Sequence, residues 1–124
     1  FARFSILALL ATVTVVVKAQ DTYATVHDNL DVESVVADEE QFKSFIGCFT
    51  ETAPCTEVTA AFKQELPEAI VQACAKCTKA QKHIVNAFIE GFKKKMPREY
   101  EQFKDTFDPE RNYFANFEAA VAGF

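Results

Sequence analysis

The chain has 124 residues, 49% of them hydrophobic, and a formal net charge of −5 at pH 7. That length suits one domain, and the acidic balance sets it against nucleic acid and anionic membranes. Three glycines and four prolines argue against a β-rich or disordered chain.

The first nineteen residues read as a secretory signal. Arg3 supplies positive charge, Phe4 to Val17 is apolar apart from Ser5, Thr12 and Thr14, and Val17-Lys18-Ala19 suits cleavage before Gln20. A retained anchor fits less well, because a membrane span needs roughly 20 apolar residues. The chain opens on Phe, so its extreme N-terminus is expected to be missing. The mature domain is then residues 20–124, secreted, and without Arg3 and Lys18 its net charge is about −7.

The segment from Gln20 to Asn29 is polar and is expected as an extended arm. Asp31 can cap a short helix carrying Val32, Val35 and Val36. Asp38-Glu39-Glu40 opens a second, in which Phe42, Phe45, Ile46 and Phe49 form one stripe at i, i+3, i+4 and i+7. Gly47 sits off that stripe, at a small propensity cost. Thr56 caps a third helix with Val58, Ala61, Phe62 and Leu66 on one side, and Pro67 is expected to break it, kink it or start the next piece. Ala69, Ile70 and Ala73 then continue towards Cys74.

A longer helix from Thr78 carries Ile84, Val85, Phe88, Ile89, Phe92 and Met96, a stripe wide enough for burial on more than one side. Lys93, Lys94 and Lys95 suit its C-terminus as a solvated helix end, with a ligand carboxylate as their alternative partner. Pro97 closes this helix and begins the next, on which Tyr100, Phe103 and Phe107 align. Asp108-Pro109-Glu110 is a turn. The last helix holds Tyr113, Phe114, Phe117 and Val121, with Phe124 at its end. Six helices without a strand pattern give an all-α domain.

Cys48, Cys55, Cys74 and Cys77 admit three readings. Zinc would use Cys74-x-x-Cys77 as half a site, but the first pair is spaced too widely for the usual knuckle. A thioredoxin-like redox role needs a βαβ setting that the pattern lacks. A secreted chain favours structural disulfides. Four cysteines allow three pairings, of which the neighbouring one needs only local turns.

The six-, eighteen- and two-residue intervals between these cysteines resemble those of the insect chemosensory proteins, the OS-D or pheromone-binding A10 family. Further matches are Tyr23 with His27-Asp28-Asn29-Leu30-Asp31, then Leu66-Pro67-Glu68-Ala69, then Cys74-Ala75-Lys76-Cys77-Thr78 with Gln81-Lys82, and Phe107-Asp108-Pro109-Glu110. The resemblance covers the whole expected mature chain. It implies six helices around an elongated apolar channel, and disulfides Cys48–Cys55 and Cys74–Cys77. It also implies reversible binding of long-chain fatty acids, alcohols, esters or similar semiochemicals; no cofactor or metal is expected.

The same resemblance points Phe42, Phe45, Ile46, Phe62, Ile70, Val85, Phe88, Ile89, Tyr100 and Phe103 towards mixed core and wall duty. His27, beside Asp28, stands where the family usually has Tyr; Tyr100 stands where many members have Trp, and Phe117 where Tyr is common. These changes shift the implied ligand preference towards apolar chains. His27 could titrate between pH 5 and 8 and gate binding, whereas His83 reads as a surface or boundary residue.

Thirteen phenylalanines serve either as plain core, as a small domain needs, or as cavity wall. No serine sits in a nucleophile motif, so catalysis is not expected. The expected activity is that of a monomeric, non-enzymatic carrier of hydrophobic small molecules. The rival is a secreted signalling or effector protein that acts through a protein partner, its apolar interior being packed core.

Overall fold

The computed structural model describes residues 22–124; the expected leader, residues 1–19, lies outside them. Among the described residues there are six α-helices and no strand: α1 (Val32–Ala37), α2 (Glu39–Phe49), α3 (Glu57–Val71), α4 (Lys79–Lys95), α5 (Pro97–Phe107) and α6 (Phe114–Val121). The helix starts follow cap chemistry. Asp31 accepts from the Ser34 amide, and Asp38 from those of Glu40 and Gln41. Thr56 with Thr59, and Thr78 with Gln81, form reciprocal capping boxes. Pro97 occupies the first turn of α5, where its missing N–H costs nothing.

Helix α3 runs unbroken through Pro67, which neither ends it nor begins a new one. Pro67 is exposed, and the Lys63 carbonyl that loses its helical donor lies one turn earlier on the same side. Water can therefore replace the missing N–H.

Helices α2 and α3 both end in Schellman motifs. After α2, the Thr52 amide donates to the Gly47 carbonyl (2.8 Å) and that of Glu51 to Cys48 (3.1 Å), with Glu51 at φ 62°. After α3, the Cys74 amide donates to Ala69 (2.8 Å) and that of Ala73 to Ile70 (3.4 Å), with Ala73 at φ 52°. Each motif reverses the chain into a small disulfide loop, Cys48–Cys55 or Cys74–Cys77. Gly47 proves to be more than a propensity cost. The loop folds back so closely that a Cβ there would lie 2.7 Å from the Ala53 Cβ.

Asp108, expected only as part of a turn, is a buried cap, 2% exposed. Its carboxylate accepts from the amides of Asn112 (2.8 Å), Tyr113 (2.8 Å) and Phe114 (2.9 Å). Burial works to raise its pKa, but these three N–H groups together hold it below the ordinary carboxylate range.

Helix α4 packs against α1, α5 and α6, while α3 packs against α2 and α6. Phe42, Phe45, Ile46 and Phe49 of α2 meet Ile84, Phe88, Ile89 and Phe92 of α4 in one core. Tyr113 and Phe124 were expected on the last stripe but are 39% and 42% exposed. Helix α6 begins after the one and ends before the other, so neither lies on its buried face. The segment from Thr22 to Leu30 is not a free arm, because its turn is fastened to the start of α4.

Candidate functional site

A partly enclosed cavity of about 70 Å³ lies where α3, α4, α5 and α6 converge, with an almost wholly apolar wall. Helix α3 contributes Phe62, Glu65, Leu66 and Ala69, at i, i+3, i+4 and i+7. Helix α4 contributes Gln81, Ile84, Val85, Phe88, Ile89 and Phe92, again one continuous face. Phe49, Phe103 and Phe117 close it from α2, α5 and α6, and Tyr23 with Cys77 stands at the other end.

A second cavity, also about 70 Å³, adjoins the first and shares Phe62, Glu65 and Gln81 with it. Its remaining wall is Ala61 and the N-terminal turn with Ala24, Val26, His27 and Asp28. The His27 ring lies 5.8 Å from that of Phe62, centre to centre.

The turn is held by buried and half-buried polar contacts. The Tyr23 amide donates to the Lys76 carbonyl (2.9 Å), inside the Cys74–Cys77 loop. Gln81 Nε2 donates to the Ala24 carbonyl (2.9 Å) and to Asp28 Oδ1 (2.8 Å), and Thr78 Oγ1 donates to Asp28 Oδ2 (2.9 Å). The second disulfide loop and the start of α4 thus form the seat of the turn, and the turn roofs the second cavity. Glu65 makes no hydrogen bond or ion pair among the described residues. Its pKa is raised, first by burial and next by the Asp28 carboxylate.

Six of the expected site residues share the main cavity: Phe62, Val85, Phe88, Ile89, Phe103 and Phe117. His27 and Asp28 border the second cavity instead. Phe45 forms a layer behind the wall, its ring 6.3 Å from Phe62 and 5.0 Å from Phe88. Phe42, Ile46, Ile70 and Tyr100 lie in the packed core, at most 3% exposed, and line neither cavity. The Tyr100 hydroxyl donates to Glu118; burial and then that carboxylate push its pKa well above the usual phenol range.

Sequence reasoning passed over Tyr23, Phe49, Glu65, Leu66, Ala69, Cys77, Gln81, Ile84 and Phe92 as wall residues. Glu65 and Ala69 were findable, being three and seven positions after Phe62 on one helical face. The lysines at the end of α4 do not reach the cavity. Lys93 pairs with Glu118 at 2.7 Å, and Lys95 donates to the Val36 carbonyl. Among the described residues no group of His, Cys, Asp or Glu is placed to hold a metal ion. No described helix is long and apolar enough to cross a membrane.

The insect pheromone-binding family, A10/OS-D, matches residues 23–115. Ejaculatory bulb-specific protein 3 of Drosophila melanogaster is 30% identical over 116 residues, 94% of this chain and 92% of that protein. Allergen Tha p 1 of Thaumetopoea pityocampa is 31% identical over 111 residues, 90% of this chain and 88% of the allergen. A solved chemosensory protein in complex with bromo-dodecanol superposes with a TM-score of 0.72 at 23% identity, covering 79% of this chain and 98% of its own. At that identity the likeness speaks to the fold.

Proposed function

The chain belongs to the insect pheromone-binding family A10/OS-D, and from that premise we propose that it is a secreted carrier of hydrophobic small molecules. The observation that carries this reading is the apolar cavity between α3 and α4. The bromo-dodecanol bound by the solved chemosensory protein supports a chain-like ligand. Two disulfides support an oxidising, extracellular setting, with the leader cut before Gln20. The carrier acts as a monomer and makes or breaks no bond; long-chain alcohols, esters and acids are the ligand classes to test.

Magnitudes constrain how a ligand sits. A cavity of 70 Å³ has room for on the order of five water-sized groups. Five methylenes at about 0.8 kcal/mol each supply about 4 kcal/mol before ordering and association costs, weaker than millimolar once these are met. Twelve supply about 10 kcal/mol before ordering and association costs, enough for micromolar binding at about −8 kcal/mol. A C12 chain therefore needs the second cavity as well, which shares the Phe62 wall with the first.

Displacement of a fluorescent apolar probe by C12 to C18 alcohols and esters tests the proposal, with micromolar competition expected. If none of them displaces the probe, the carrier reading fails and the interior is packed core. The signalling or effector reading would then take its place.

A further inference from the structure

We infer that the second cavity is a head-group site that favours ligands bringing a hydrogen-bond donor, alcohols and above all amines, and disfavours carboxylates, with Glu65 as the residue that sets this preference. The inference rests on the carrier reading and narrows its ligand class.

Donors and acceptors around the shared wall are unequally engaged. Gln81 has both Nε2 hydrogens engaged, with Ala24 and Asp28, and its Oε1 accepts from the Thr78 amide. The Tyr23 hydroxyl donates its one hydrogen to Glu68. Asp28 accepts from Thr78 and Gln81. Among these side chains what stays open is acceptor capacity, foremost the Glu65 carboxylate. An amide, a hydroxyl and a carboxylate with only lone pairs left cannot serve a ligand carboxylate, which needs donors.

Only the His27 ring offers a side-chain donor in the second cavity beyond these. It shares the cavity wall with the carboxylates of Glu65 and Asp28, and Glu68 adds to the negative field at Glu65. The lysines nearby are turned elsewhere, Lys63 to Glu51 and Lys76 to Glu68. One imidazole against two carboxylates leaves the head-group end negative. An ammonium or hydroxyl would meet a desolvated acceptor there, and charge-assisted hydrogen bonds are the stronger kind.

Burial disfavours any charged head, so the discriminating pair carries opposite charges on one chain length. Probe displacement at pH 7.5 by dodecylamine, dodecanol, dodecanoate and methyl dodecanoate is measured on the wild type and on Glu65→Gln. That variant keeps the side chain's size and one acceptor oxygen, and its circular dichroism and melting curve report folding. On the wild type, dodecylamine is expected to bind at least tenfold more tightly than dodecanoate. In Glu65→Gln that ratio is expected to shrink at least fivefold, while methyl dodecanoate is unchanged. A dodecanoate affinity equal to or above that of dodecylamine overturns the inference, as does a ratio that Glu65→Gln leaves unmoved. Methyl dodecanoate separates the two levels. If it binds while the ratio fails, the carrier stands and the head-group preference falls; if no ligand binds, both fall.

Discussion

Filling the cavity separates a ligand site from a packed core by the sign of two effects. Ala69 is 5% exposed and contributes to the cavity wall from α3. Leucine there adds three carbons, in a space that holds on the order of five such groups. Burying three groups at about 0.8 kcal/mol each gives about 2.4 kcal/mol, and fixing the leucine rotamer costs about 0.5–1 kcal/mol. Ala69→Leu should therefore be about 1.5 kcal/mol more stable in urea unfolding. The same three groups are lost to the ligand, so dodecanol should bind about 50-fold more weakly in probe displacement, the equivalent of about 2.4 kcal/mol. If position 69 belongs to a filled core, the leucine overpacks it and costs about 1–3 kcal/mol. A destabilised Ala69→Leu with unchanged dodecanol affinity would refute the cavity reasoning.

Gly91→Ala puts a Cβ 2.6 Å from Val36 Cγ1, so it should cost about 1–3 kcal/mol in urea unfolding; adding Val36→Ala should recover part of that cost. Ala73→Gly should stabilise by about 0.5–1 kcal/mol, because the left-handed conformation at φ 52° suits glycine while glycine's freer unfolded chain offsets part of the gain. Removing the Cys48–Cys55 link by a double Cys→Ser change should cost about 2.5 kcal/mol, and removing Cys74–Cys77 about 2 kcal/mol, from rings of about eight and four residues. Stability should fall with acid, because Asp108 has a folded pKa below its unfolded one. Its contribution is complete above about pH 4 and is lost as pH drops through the folded value, and Asp108→Asn should flatten that limb of a urea-midpoint profile. His83 has the opposite sign: the Phe124 carbonyl and then Glu33 raise its pKa. Its contribution is full below about pH 6.5 and is lost as pH rises through the folded value, a limb that His83→Ala should remove.

Five of the six helices were legible at their starts, because each of α1 to α5 begins on a side chain that can accept from its own first-turn amides or on a proline that needs no donor; α6 was legible from its apolar stripe alone. Pro67 neither breaks the helix nor restarts it, because the break it threatens is the cost of a lost hydrogen bond in a dry setting, and this one faces solvent. Asp108 was read as punctuation because its partners, the amides of residues 112 to 114, carry no side-chain signature. The N-terminal turn looked like a loose arm for a related reason. Its polar residues find their partners fifty or more positions away, in Thr78 and Gln81, and no local pattern announces such a pairing.

Periodicity identified the faces of α3 and α4 that turn inward, but it treats a residue at a gap and a residue in contact alike. Phe42 and Phe88 stack at 5.8 Å and sit on equally regular stripes, yet only Phe88 borders the cavity between α3 and α4. Whether two faces touch depends on where their helices are anchored. Here α3 ends in a left-handed Ala73 and Cys74, α4 starts on a threonine bonded to the N-terminal turn, and the Cys74–Cys77 loop joins them. Those residues lie beyond the apolar stripes of α3 and α4, yet they set the spacing across which Phe62 and Ala69 face Val85 and Phe88. The cavity is accordingly a product of the polar and covalent joints. Changes at Asp28, Thr78 or Cys77 should alter ligand affinity as surely as changes to the phenylalanines on its wall.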